Sequence, residues 1–304
     1  MCGPFRQKCA YLWLSTMFFF SRCMPRAVQW TKPLFLWGAW TFSRHMQDAT
    51  IANARYLLGA QSTMAQRRRL GKRVVGSFYD FINDIGRTFN LSRDQLGSLI
   101  ESVQGTEAYQ RVRQTHNGVI IATAHMGSFE LGMAAMLSIE KHVNVVFQRD
   151  DNSLFESLRS DFRKRLGIME AAVDDGWGVW IKLREALAAD EVVAMQADRA
   201  MPGQIGVKVP LLDGYALFPE GPAKLAAITG APIVPVFVIR LPDGRVRIYI
   251  EDAIRVPETS EVAIGDAIAK LAGVVGRYVK KYPDQWLLVH RVWCEDMPAP
   301  AAGE

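Results

Sequence analysis

From residue 118 onward the chain alternates short apolar runs with longer stretches at helical spacing. No other feature constrains the fold as much. Residues 118–124, 143–147, 191–196, 232–240 and 246–251 have the length and apolar content of buried strands. Residues 155–166, 177–188 and 262–282 read as the helices between and after them. Such alternation predicts an α/β fold: a mainly parallel central sheet flanked by helices, with chemistry at the strand ends. Residues 26–110 read as helices, most clearly over 48–58 and 74–89. No repeat or low-complexity linker interrupts the chain. With 304 residues, 49% of them hydrophobic and 22% charged, it can bury a large core, and global disorder is excluded.

The first 60 residues have a different character. Seven basic residues (Arg6, Lys8, Arg22, Arg26, Lys32, Arg44, Arg55) face a single acid, Asp48, and four of the eight Trp lie here. Cations interleaved with Trp and Phe suit the headgroup boundary of an anionic bilayer. The apolar runs at 9–20 and 33–42 are shorter than the roughly 20 residues a spanning helix needs. Arg22, Arg26 and their bulky neighbours make a poor signal-cleavage region. Residues 1–44 are therefore expected to form a helical segment that lies in or dips into a membrane. A second basic feature is Arg67, Arg68, Arg69, Lys72 and Arg73, uninterrupted by any acid. It suits a membrane surface or an acidic partner. No nucleic-acid recognition motif accompanies it. Cys2, Cys9, Cys23 and Cys294 lack zinc or redox spacing and read as unpaired thiols.

The strongest local signal is His125-Met126-Gly127-Ser128-Phe129-Glu130. A histidine leaves a buried strand, Ser128 suits a helix N-cap, and a carboxylate follows in the first helical turn. Across such a corner the two side chains can meet, with Glu130 held ionised by the helix dipole. A carboxylate that fixes the imidazole tautomer makes His125 a general base. Acyl transfer from a thioester to a hydroxyl requires such a base. Free N–H groups at the helix start could face the developing oxyanion. On spacing alone, a structural histidine at a strand end is an equal reading. A serine hydrolase would need a Gly-x-Ser-x-Gly elbow, and Phe129-Glu130 follow Ser128 instead.

Wider context adds to this pair. His125-x4-Glu130 resembles the motif of the lysophospholipid acyltransferase superfamily. The surrounding blocks resemble the lipid A biosynthesis acyltransferases and related mannoside acyltransferases. They include Ile121 to Gly132, Phe147-Gln148-Arg149-Asp150, Val193-Ala194-Met195-Gln196-Ala197-Asp198-Arg199, Gly221-Pro222-Ala223-Lys224, and Tyr282-Pro283-Asp284-Gln285-Trp286 with His290-Arg291. The resemblance implies a membrane-associated O-acyltransferase on the cytoplasmic face of the inner membrane, its acyltransferase domain spanning 45–304. It implies an acyl carrier protein or coenzyme A thioester as donor, a glycolipid such as lipid A as acceptor, and no metal or other cofactor. His125 and Glu130 become the catalytic pair. Arg149, Arg163, Arg165, Asp198, Arg199, His290 and Arg291 become substrate-binding candidates, and the basic cluster at 67–73 a docking site for the donor. An intact pair argues against an inactive scaffold. Phe218-Pro219-Glu220-Gly221 is similar to the acceptor-phosphate block of glycerolipid acyltransferases, making Glu220 a candidate. A turn before a helix explains it equally well. Three positions depart from the family pattern. Asp198-Arg199-Ala200 stands for Asp-x-Asp, Leu288 replaces an aromatic, and Val292 replaces a basic residue. Acceptor recognition that differs from that of the lipid A enzymes is the expected consequence, with a lipid A-like glycolipid and a non-lipid-A acceptor both open. His116 reads as a turn residue, and His45 and His142 as solvated.

Overall fold

The computed structural model describes residues 4–137, 139–149, 153–200 and 206–296. Four helices come first: α1 (Pro4–Cys23), α2 (Pro25–Phe42), α3 (Arg44–Leu58) and α4 (Met64–Thr88). Then follow α5 (Arg93–Gly97), β1 (Ile100–Gln104), α6 (Thr106–Arg113), β2 (Val119–Thr123), α7 (Phe129–Met136), β3 (Val143–Phe147), α8 (Ser153–Leu166) and β4 (Met169–Ala172). The chain continues through α9 (Trp177–Ala188), β5 (Val192–Gln196), β6 (Gly206–Leu211), β7 (Gly214–Pro219), α10 (Gly221–Thr229), β8 (Ile233–Arg240), β9 (Val246–Ile250) and α11 (Glu261–Lys281).

One seven-stranded sheet runs β1-β9-β8-β2-β5-β3-β4. The five strands from β8 to β4 are mutually parallel, as expected. Its far edge departs from that expectation. β9 returns antiparallel to β8 through a tight connection, and β1 pairs parallel to β9. A connection of a few residues permits only an antiparallel return.

Strand side chains alternate between two buried faces. Ile120, Ala122, Val193 and Met195 join α9, α10 and α11 on one side. Ile121, Ala194, Val236 and Val238 join α4, α7 and α8 on the other. The helix α4 serves both cores: Leu70 and Val74 belong to the first, Tyr79, Ile82 and Ile85 to the second. A capping box of Thr63 with Gln66 starts it, and its apolar residues follow helical spacing.

The amphipathic helices α1 and α2 pack on α4, burying Met17, Phe18 and Val28. Their outer side keeps apolar groups in the open. Trp30 (83% exposed), Leu34 (69%) and Trp37 (62%) recur at helical spacing along α2, beside exposed Phe19 of α1. Among the described residues no helix is long and apolar enough to cross a membrane. Cys23 and Cys294 are free thiols. Cys2 lies outside the described residues.

Candidate active site

The strands β2 and β5 are neighbours in parallel register, with Thr123 opposite Gln196. Two residues beyond this pair come His125 and Asp198, so both project from adjacent strand ends. The His125 Nδ1 lies 2.7 Å from Asp198 Oδ1, and the His125 backbone N–H donates to Asp198 Oδ2 at 3.0 Å. The indole N–H of Trp286 donates to the same Oδ2 at 2.7 Å. Asp198 is wholly buried. Burial pushes its pKa up, but the His125 charge and these N–H donors outweigh it and hold the carboxyl at about 2. An ionised Asp198 can only accept. His125 Nδ1 therefore carries the proton and Nε2 keeps its lone pair.

The turn carrying His125 is locked from several sides. Leu287 N–H donates to His125 O at 2.8 Å, and Gly127 N–H donates to Gln285 O at 2.9 Å. Gly127 has φ +56°, and a Cβ there would stand 2.1 Å from Val238 O, so only glycine fits. Ser128 makes no cap bond to its own helix. Its hydroxyl donates to the buried Asp84 of α4, which also accepts from Arg240 Nε at 2.8 Å and Arg87 Nε at 2.7 Å. The expected Ser128 cap is thus replaced by a tie to α4.

Glu130 does not partner His125 as the sequence reading expected. It is buried in the first turn of α7, where its Oε1 accepts from Arg159 Nε at 2.7 Å and Arg163 Nη1 at 3.5 Å. Arg163 is fully buried and also binds Glu156 at 2.6 Å and Glu170 at 2.7 Å. Burial disfavours its charge, but Glu130, Glu170 and Glu156 together raise its pKa. Two opposing arginines on α8 draw Glu130 away, so the carboxylate on the imidazole comes from the next strand, 73 residues later.

Beside the dyad lies a small, mainly apolar cavity of about 40 Å³. It is roofed by Phe129, Met133 and Met136 of α7 and floored by β2, β3, β5 and β8. Phe129, which lines the cavity, meets the His125 ring edge-on at 6.0 Å, so the cavity wall adjoins the imidazole. Thr123, Gln196 and Arg159 are its polar lining.

His290 and Arg199 complete this end of the sheet. Burial, then the Arg199 and His125 charges, lower the His290 pKa to about 4, so its ring is neutral at pH 7. Its backbone carbonyl accepts from Asn53 at 2.8 Å. The other candidates are engaged elsewhere. Arg149 pairs with Asp175 at 2.8 Å, Arg165 sits over the Phe89 ring at 5.5 Å, and Arg291 donates to Asp296 O at 2.7 Å. Glu220 pairs with Lys224 at the start of α10. In the basic cluster, Arg67 braces the turn before α4 through Ser62 and Ala60 O. Arg68 is exposed. Arg69, Lys72 and Arg73 line a groove with Lys32 of α2. Sequence reasoning gave no role to Trp286, Gln196, Arg159 or Asp84. Trp286 and Gln196 do lie within the resembling blocks.

The sequence profile described as "Bacterial lipid A biosynthesis acyltransferase" matches residues 6–295. Curated relatives include the phosphatidylinositol mannoside acyltransferases of Mycobacterium tuberculosis, 26% identical over 187 residues, and of Mycolicibacterium smegmatis, 25% identical over 186. Each match covers 59% of this chain, and 56% and 58% of the respective relatives.

Proposed function

The chain belongs to the bacterial lipid A biosynthesis acyltransferase family, and on that premise we propose that it transfers a fatty acyl chain from a thioester to a hydroxyl of a glycolipid at a membrane surface. The observation that carries this reading is the His125–Asp198 dyad beside a mainly apolar cavity whose wall, at Phe129, adjoins the imidazole. Nε2 of His125 takes the acceptor hydroxyl proton as its oxygen attacks the thioester carbon. Asp198 holds the tautomer and stabilises the imidazolium. The tetrahedral intermediate collapses with loss of the thiolate, which takes the proton back from His125. The thioester is already activated, so no covalent enzyme intermediate is needed. The apolar lining of the cavity suits the start of an acyl chain.

The acceptor reading follows the relatives, which act on a phosphatidylinositol mannoside, and the departures at Ala200, Leu288 and Val292. A glycolipid other than lipid A fits both. The donor is an acyl carrier protein or coenzyme A thioester. The exposed Trp30, Leu34 and Trp37 of α2 rest in the headgroup layer. The groove of Lys32, Arg69, Lys72 and Arg73 lies between the same helix and α4. Sharing α2 favours lipid phosphates over a carrier protein as the groove's contact. The enzyme then sits on the cytoplasmic face of the inner membrane, where acyl thioesters are present.

The test is direct. Purified protein is incubated with dodecanoyl coenzyme A or dodecanoyl carrier protein and a mannosylated phospholipid, and the products are read by mass spectrometry. Acylated glycolipid should form with wild type and be lost in His125→Ala. Turnover undiminished in a folded His125→Ala would overturn the mechanism.

A further inference from the structure

A base beside a cavity is half of an acyl-transfer site, because charge also develops on the carbonyl oxygen. We propose that the side-chain amide of Gln196 binds the thioester carbonyl and stabilises its oxyanion. The inference rests on the acyl-transfer reading above.

Three observations converge on Gln196. Its Nε2 is enclosed and has no hydrogen-bond partner among the described residues. Buried amide donors are seldom left unpaired, and an exception calls for an explanation. Second, Gln196 lines the cavity, whose walls are otherwise mainly apolar. Third, the register places it. Gln196 stands opposite Thr123, and Asp198 and His125 each lie two residues further along. In a strand, residues two apart share a face and are about 6.6 Å apart. Thr123 and Gln196 thus form a row beneath the dyad. A carbonyl oxygen at hydrogen-bond distance from Gln196 leaves its carbon between that row and His125, with the acyl chain running on into the cavity.

Several other donors here are occupied. Arg159 is held by Glu130 at 2.7 Å. At the α7 start, Gly127 N–H goes to Gln285 O, and Leu131 and Gly132 N–H go to Ser128 O. These three N–H groups are therefore already engaged.

In the step itself the acceptor O–H gives its proton to His125 Nε2 and the new O–C bond forms. The C=O π pair moves onto oxygen and is held by Gln196 Nε2–H. On collapse that pair reforms C=O and the C–S bond breaks. The thiolate takes the proton from His125, and alcohol plus thioester have become ester plus thiol.

Two measurements test this. Removing one preorganised oxyanion donor costs on the order of 10²–10³ in kcat. Gln196→Leu should show that loss with the thioester KM changed by no more than a few-fold. Gln196→Glu keeps the shape but donates only when protonated, so its activity relative to wild type should rise as pH falls. Separately, dodecanoyl coenzyme A labelled at the carbonyl is bound to His125→Ala and to His125→Ala with Gln196→Leu. The C=O stretch should sit at lower frequency in the first, where the amide bond survives. Equal stretches in the two proteins, or a Gln196→Leu kcat within threefold of wild type, would overturn the proposal. The infrared comparison needs no turnover, so it decides on Gln196 even if the acyl-transfer reading fails. Acyl transfer that depends on His125 with Gln196→Leu unaffected would sink the Gln196 proposal alone.

Discussion

Asp198→Asn is the substitution whose outcome the geometry determines most closely. Asp198 Oδ2 accepts two N–H groups, the Trp286 indole at 2.7 Å and the His125 backbone at 3.0 Å. Both are donors only, and both are held in place by buried structure. An asparagine here must turn its single carbonyl oxygen toward them, since its NH₂ would otherwise point at two N–H groups. That orientation aims the NH₂ at His125 Nδ1, now 2.7 Å from Asp198 Oδ1. Nδ1 must then accept, which moves the ring proton to Nε2 and removes the lone pair the reaction needs. A wrong tautomer in this role costs about 10⁴-fold in rate elsewhere. We expect kcat to fall about 10³–10⁴-fold, or roughly 4–5.5 kcal/mol of transition-state stabilisation, with KM little changed. Steady-state kinetics with an acyl thioester measures this, and nitrogen NMR of the labelled imidazole reports the tautomer independently. A kcat within tenfold of wild type, or an unaltered tautomer, would refute the reasoning.

Three further outcomes are expected. Glu130→Ala leaves Arg159 and the fully buried Arg163 short of a partner; breaking a buried ion pair costs about 3–5 kcal/mol, which urea unfolding should register. His290 is held neutral, its pKa lowered from the ordinary 6.5 to about 4, so between these values the unfolded chain binds the extra proton and stability falls as pH falls. The loss is on the order of 3 kcal/mol in all, and His290→Gln should flatten that part of the stability profile. Gly127→Ala sets a Cβ 2.1 Å from Val238 O at a positive φ and should cost more than about 2 kcal/mol; near-normal stability and activity would mean the turn is less tightly held than described.

The central strands were legible because they are buried on both faces and read as unbroken apolar runs. β3 and α9 occupy the very residues their patterns predicted, 143–147 and 177–188. β1 (Ile100–Gln104) was read as helical, since a half-exposed edge strand such as Ile-Glu-Ser-Val-Gln carries no continuous apolar signal. The hairpin of β6 and β7 was missed for a similar reason: their burial alternates or is incomplete along both strands. His125 was legible as the strand-end histidine, but its carboxylate partner was not. Proximity in sequence favoured Glu130. What overrides it is a tertiary fact, two arginines arriving from α8, and a sheet order that makes β5 the neighbour of β2. No local pattern encodes that order.

The bond from Trp286 to Asp198 also bears on when the site comes into being. The two residues lie 88 positions apart. At a synthesis rate of 5–20 residues per second, Trp286 is made roughly 4–18 s after Asp198. The N-terminal helices emerge earlier still, so a nascent chain carries them while its dyad lacks both the indole bond and the Leu287 clasp on His125. Assembly of the reactive centre thus awaits synthesis of residues 286 and 287. A ribosome stalled before residue 286 would carry a chain with its base loosely held.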